Sequence, residues 1–210
     1  MKKLLALSIF ALLAFATSAQ QRAVTETGLE VLLFDDGTWE YLDGNQALES
    51  EILTNPKAFI KSDKSSFLLK SVRTNIGIWL DPKQWSFKKA EGDDAAEYEL
   101  KLKKGDLYGM LISEKIEISL ESLKTAAFTN AVEAAPDVKI VHEEYRTVNG
   151  TKLLFMQMEG TLQGIKFTYL GYYFSGKSGT VQLITYTAQN LVEDYRAIAE
   201  ELLNGFSEIK

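Results

Sequence analysis

The chain has 210 residues, enough for one ordinary domain or one domain with a small appendage. Hydrophobic residues make up 46% and charged residues 25%, the balance of a globular protein with a sizeable core and not of a disordered chain. A formal charge of -6 without a basic cluster argues against nucleic acid and anionic membrane surfaces as partners, and the lack of cysteine excludes disulfides.

Met1-Lys2-Lys3 is a basic start, Leu4 to Ala16 is an apolar run too short for a comfortable transmembrane span, and Thr17-Ser18-Ala19 supplies small residues. These three parts predict a secretory signal over residues 1–19, cleaved just before Gln20 or Gln21, with no membrane span left after its removal. Loss of Lys2 and Lys3 makes the mature chain more acidic still. Without cysteine no lipid can be attached behind the leader. The expectation is therefore a soluble protein, not a lipoprotein, periplasmic or secreted by a bacterium.

Residues 20–43 read as a β-hairpin appendage. Val31-Leu32-Leu33-Phe34 runs into Asp35-Asp36-Gly37 and returns as Thr38-Trp39-Glu40-Tyr41-Leu42, and Asp-Gly between two such runs supplies the left-handed conformations of a tight turn. The paired carboxylates invite a calcium or general-acid role, but the turn accounts for them unaided. The pattern from Gly28 to Trp39 resembles a short hairpin near the start of many exported bacterial proteins. An isolated hairpin is marginal in water, so this one is expected to dock on the main domain or to flex. Residues 44–66 read as a linker with a short helix over Gln46 to Leu53, broken by Pro56.

The main domain is expected over residues 67–210. Asn75 to Leu80 reads as a strand stopped by Asp81-Pro82, with a turn that returns Trp85 to the core. Tyr98, Leu100 and Leu102 alternate with Glu97, Glu99, Lys101 and Lys103, a half-buried strand with its acids and lysines in water. After Gly105-Asp106 comes a partner strand over Leu107 to Ile116. Ser119 caps a helix whose Leu120, Leu123, Ala127, Ala131 and Ala134 recur at three- and four-residue spacing, and Pro136 ends it.

Val138 to Thr187 then reads as four β-segments. Asn149-Gly150, Gly164 and the Gly176–Gly179 cluster mark their turns. The third segment, Ile165 to Phe174, is apolar or aromatic at both parities, so both of its faces should be covered. A closing helix follows from Asn190 to Phe206, with Asn190 and Glu193 in a capping-box relation and Leu191, Tyr195, Ile198, Leu202 and Phe206 inward. The order predicts an α+β fold, an antiparallel sheet of about six strands sandwiched between helices, with the hairpin appended.

Ile78-Trp79-Leu80-Asp81-Pro82 with Trp85, the helix before Val138 to Val148, Asn149-Gly150, Tyr172-Tyr173 and Leu202-Leu203-Asn204-Gly205-Phe206 together resemble the PsbP-like group. That group includes extrinsic oxygen-evolving-complex proteins of photosystem II, a Ran-binding nuclear import factor and bacterial periplasmic relatives. The resemblance spans Phe67 to Lys210. It implies an antiparallel sheet between helices and an accessory or binding protein without a shared catalytic site. No ligand motif matches, so no metal residue is implied.

Catalytic signatures are missing. His142 is the only histidine, so neither a zinc site nor a Ser-His-Asp triad has its usual parts, and strand parity puts His142 beside Glu144 and Arg146 as a solvated or ion-paired residue. Gly176-Lys177-Ser178-Gly179 is a hairpin turn and not a phosphate loop. The adjacent acids Asp93-Asp94, Glu143-Glu144 and Glu200-Glu201 diverge on either a strand or a helix. Asn149-Gly150-Thr151 matches a glycosylation sequon, but the hairpin explains it better in a bacterial protein.

The aromatic residues Phe167, Tyr169, Tyr172, Tyr173 and Phe174 read first as a sheet filled on both sides. Trp79, Trp85, Tyr172 and Tyr173 are the candidate partner or ligand surface. The function that follows is a non-enzymatic accessory or binding protein of the cell envelope with an envelope-protein partner and no cofactor. The alternatives are a carrier for a small apolar or aromatic ligand, held among Trp79, Trp85 and Tyr172, and a carboxylate-based hydrolase.

Overall fold

The computed structural model describes residues 21–24, 30–34, 37–41, 52–91 and 96–209. The expected leader, the Asp35-Asp36 and Asp93-Asp94 pairs and most of the expected short helix lie outside these residues. Two compact units divide between Leu48 and Glu49.

In the first unit, β1 (Gln21–Val24), β2 (Glu30–Leu33) and β3 (Trp39–Tyr41) form an antiparallel sheet in the order β1-β2-β3. The β2–β3 hairpin closes through Phe34 N–H donating to the Thr38 carbonyl at 2.9 Å, with Gly37 at φ 83°. Strand β1 has no counterpart in the sequence reading. It pairs Gln21 to Val24 with Leu33 to Glu30, and so gives β2 a partner on each side.

The second unit starts with β4 (Thr54–Phe59), where a linker was expected. Pro56 suggests a break, but β4 is a sheet edge, where a missing N–H costs no ladder bond. The chain continues through β5 (Phe67–Lys70), β6 (Ile76–Leu80), β7 (Trp85–Lys89), β8 (Ala96–Leu102), β9 (Tyr108–Glu114) and α1 (Leu120–Ala134). The meander follows as β10 (Lys139–Val148), β11 (Thr151–Leu162), β12 (Ile165–Gly176) and β13 (Gly179–Ala188), then α2 (Val192–Leu203) and β14 (Phe206–Glu208).

The main sheet has eight strands, in the order β4-β10-β11-β12-β13-β9-β8-β7, not about six. Every pairing in it is antiparallel except β4 with β10. Asn149 (φ 49°) with Gly150, and Gln163 (φ 50°) with Gly164, supply the left-handed residues of two hairpins.

Both faces of β12 are covered, as its composition predicts. Leu170, Tyr172 and Phe174 join one apolar cluster with Leu202, Leu203 and Ile78. Phe167 and Tyr173 join another with Leu123, Ala127 and Ala131 of α1. One cover is thus α1 alone. The other is α2 together with a three-stranded sheet, β14-β6-β5, which corrects the expected helix-only sandwich.

Ser119 caps α1, its side chain accepting from Ser122 N–H at 3.0 Å. Asn190 does not cap α2: residues 189–191 form a 3₁₀ turn, Leu191 occupies the cap position without a side-chain bond, and Glu193 pairs with Arg196 at 2.7 Å. The helix buries Val192, Ala199, Leu202 and Leu203, and Phe206 has already left it for β14.

Candidate functional site

The four aromatic residues singled out in the sequence do not form one surface. Tyr172 and Tyr173 are both fully buried, and as neighbours on a strand they point to opposite faces. Trp85 is 3% exposed in the same cluster as Tyr172. Only Trp79 reaches water, half-buried, with Lys61 Nζ 5.2 Å from its ring. The rings therefore fill the interior and leave no slot among Trp79, Trp85 and Tyr172. A shallow surface dimple beside α2, with no room for a water molecule, is lined instead by Leu107, Leu170, Val192 and Tyr195.

Among the described residues Asp81, Glu97 and Arg146 are buried charges, and two of them organise the polar side of the fold. The first is Arg146 on β10, 7% exposed. Its guanidinium carbon lies 3.8 Å from the Phe155 ring centroid and 4.6 Å from that of Phe59, a cation held between two aromatic faces. Nε donates to Glu144 Oε1 at 2.5 Å and Nη1 to the Tyr172 hydroxyl at 3.3 Å, with Glu200 Oε1 3.7 Å from Nη1.

Asn55 Nδ2 donates to both oxygens of Glu144, at 3.2 and 3.1 Å, and the Tyr172 hydroxyl donates to Asn204 Oδ1 at 2.8 Å. Burial pushes the Glu144 carboxyl up, but the hydrogen bonds from Arg146 and Asn55 and the Arg146 charge outweigh it and hold the group below its ordinary 4.5. Burial likewise pushes the Tyr172 phenol up. His142 stands at the open side, half-exposed, with Nε2 3.7 Å from Glu144 Oε2 on the face that parity predicts.

The second buried charge is Glu97, 3% exposed. The register of β8 against β9 slips between Ala96 and Tyr98, and this bulge turns Glu97 inward from the wet face that simple alternation assigns it. Its carboxylate accepts from Ser71 Oγ at 2.7 Å, from Val72 N–H at 2.6 Å and from Ser113 Oγ. Ser71 Oγ in turn accepts from the N–H groups of Arg73 and Thr74, both at 3.0 Å. Glu97 thus pins the loop between β5 and β6. Burial first, then the Glu97 charge, pushes the neighbouring Tyr98 phenol up.

Of the acid pairs, Glu143-Glu144 diverges as expected. Glu143 reaches Lys124 at 2.7 Å while Glu144 turns to Arg146. Among the described residues, no group of three or more His, Asp or Glu could hold a metal ion. The sequon residue Asn149 is already committed: its Nδ2 donates to the carbonyls of Asn204 at 2.8 Å and Phe206 at 2.7 Å, and its Oδ1 accepts from Lys61 N–H at 3.0 Å.

The sequence reading missed Glu97, Phe59 and Asn55. Glu97 is hidden by the bulge. Phe59 and Asn55 fall in the presumptive linker, where an apolar residue three places after a proline was the available signal.

No family model matches the chain, and no curated protein matches it in sequence. Solved structures do match. Cyanobacterial PsbP from Synechocystis superposes with a TM-score of 0.55 at 10% identity, covering 70% of this chain and 94% of that one. LpqN of Mycobacterium tuberculosis, described as involved in cell envelope biogenesis, gives a TM-score of 0.45 at 12% identity over 63% of this chain and 82% of its own. A Pseudomonas aeruginosa protein of unknown function gives 0.40 at 7% identity, over 63% and 89%. The PsbP likeness establishes a PsbP-like fold, and at that identity it establishes the fold alone.

Proposed function

With a PsbP-like fold as the frame, we propose that the chain is an exported accessory protein of the bacterial cell envelope that acts by binding a protein partner and not by turnover. The observation that carries this reading is the internal saturation of the buried charges, Asp81 included, whose two oxygens accept from Lys83 N–H and Gln84 Nε2. Catalysis needs an acid, base or nucleophile with a partner position left for substrate. Both oxygens of Glu144 are taken by Asn55 and Arg146, and the carboxylate of Glu97 accepts three hydrogen bonds from its own chain.

The leader-like start supports export, and the family resemblance supports an accessory role. No helix among the described residues is long and apolar enough to cross a membrane. The ligand-carrier alternative finds no aromatic slot among Trp79, Trp85 and Tyr172, and no convergent acids among the described residues favour the hydrolase.

The test is expression of the full chain with a C-terminal tag in a bacterial host. Mature protein beginning at Gln20 or Gln21 in the periplasmic or secreted fraction is the expected result. Cross-linking in intact cells should then give one adduct of defined mass. Uncleaved chain retained in the cytosol, or a turnover activity without a stable adduct, overturns the reading.

A further inference from the structure

The two sheets of the second unit end in four edge strands: β4 and β7, and β5 and β14. Two of them are blocked. Pro56 removes a donor from β4, and the Phe206 carbonyl of β14 is capped by Asn149 Nδ2. The other two, β7 and β5, are open and lie side by side, with Phe87 and Phe67 stacked at 5.3 Å between ring centroids. Each of the two residues is 40% exposed, and Tyr98 meets Phe87 edge-on at 6.2 Å.

Backbone parity shows which groups face outward. Lys103 N–H donates to the Gln84 carbonyl and Ala90 N–H to that of Glu97, so even-numbered residues of β7 bond to β8. Phe87 and Lys89 therefore turn their N–H and C=O groups away from the sheet. On β5, Ser71 N–H donates to the Ile76 carbonyl, so Leu68 and Lys70 face outward in the same way. An unpaired row of such groups is a template for another strand.

Charge selects the occupant. These two strands carry Lys70, Lys88 and Lys89 and no carboxylate, in a chain whose formal charge is -6. Lys88 is committed to Glu99 at 3.1 Å, whereas Lys70 and Lys89 are exposed and meet no carboxylate among the described residues. Lysine on an edge ordinarily repels strand addition. Here it flanks an exposed aromatic pair beside free ladder groups, which favours an acidic strand over a neutral one.

We propose that β7 accepts an added antiparallel strand: an extended segment of a partner protein with a carboxylate two residues from an apolar residue. Phe87 and Lys89 share a face and both offer ladder bonds, so the apolar residue sits opposite Phe87 and the acid opposite Lys89. This names the surface used in the binding function proposed above and rests on that reading.

The probe is a labelled, end-blocked peptide of sequence Thr-Glu-Thr-Glu-Thr-Phe-Thr, whose second glutamate and phenylalanine are two residues apart on one face, followed by fluorescence anisotropy on the full chain, beside a counterpart with lysine for each glutamate. The glutamate peptide is expected to bind saturably and more weakly as salt rises. Lys89→Pro removes an outward N–H and no β7–β8 ladder bond, whereas Lys89→Thr removes only the charge. Circular dichroism checks that both variants fold. Lys89→Pro should bind about fivefold more weakly than Lys89→Thr, the worth of about one hydrogen bond. No saturable binding, equal binding of the lysine peptide, or equal affinity of the two variants overturns the proposal.

A photo-crosslinking residue at position 87 or at exposed Ile165 separates this site from the broader reading in cells. Adducts from position 87 support the edge. Adducts from position 165 alone keep the binding function and overturn this surface, and adducts from neither overturn both.

Discussion

Arg146 and Glu97 are buried to similar depth by opposite means. Arg146 is neutralised by a counter-charge, Glu144, and stacked between Phe59 and Phe155, and it gathers β4, β10, β11, β12 and α2 around one guanidinium. Glu97 pairs with no cation among the described residues and accepts from two hydroxyls and a backbone N–H, drawn from the β5–β6 loop and from β9. A buried ion can be balanced by charge or by donors alone. The first arrangement fails when either ion is removed, and the second weakens one donor at a time.

The sharpest way to break the pair is Arg146→Ala. It strands Glu144 without its cation and empties the space between two phenyl rings, and should cost about 4 kcal/mol in urea unfolding. Glu97→Ala leaves two hydroxyls and the Val72 N–H unmatched and should cost about 3 kcal/mol, with the loss seen first as hydrogen exchange in the β5–β6 loop. Tyr172→Phe keeps the ring but deletes the hydroxyl between Arg146 and Asn204, and should cost about 1 kcal/mol in the same assay.

Acid titration gives the smallest and most selective readout. The Glu144 carboxyl is held below 4.5 in the folded state, so its stabilisation is complete above that value and is lost as pH falls through the lower folded value. Unfolding midpoints should therefore drop between about pH 5 and pH 3. The double variant Arg146→Met/Glu144→Gln should flatten that drop by the Glu144 share while leaving the part due to Asp81 and Asp137, whose carboxyls are also held low. A drop of unchanged size in the double variant would show that the pair carries no acid sensitivity.

The contrast also marks how far the sequence could be read. Two-period alternation placed His142, Glu144 and Arg146 on one face, and the double parity of Ile165 to Phe174 correctly required cover on both sides. The turn residues Asn149-Gly150 and Ser119 at the helix start were local signals, and they hold. Glu97 was misplaced because one extra residue in β8 inverts the rule, and nothing in Ala96-Glu97-Tyr98 announces a bulge. Strand β4 was hidden by Pro56, since an edge tolerates what an inner strand cannot. Strand β14 was hidden because Phe206 continues the helical spacing of α2 although the chain has turned at Gly205. Partners distant in the chain, such as Asn55 for Glu144, leave no periodic trace at all.

The amide of Asn149 ties Lys61, Asn204 and Phe206 to one hairpin tip, bridging stretches 88, 55 and 57 residues apart. Loops of that length close late, because their entropy must be overcome before the bonds reward it. A latch added to strands already paired is expected to slow unfolding more than it speeds folding, so that Asn149→Ala should raise the unfolding rate and leave the folding rate nearly unchanged.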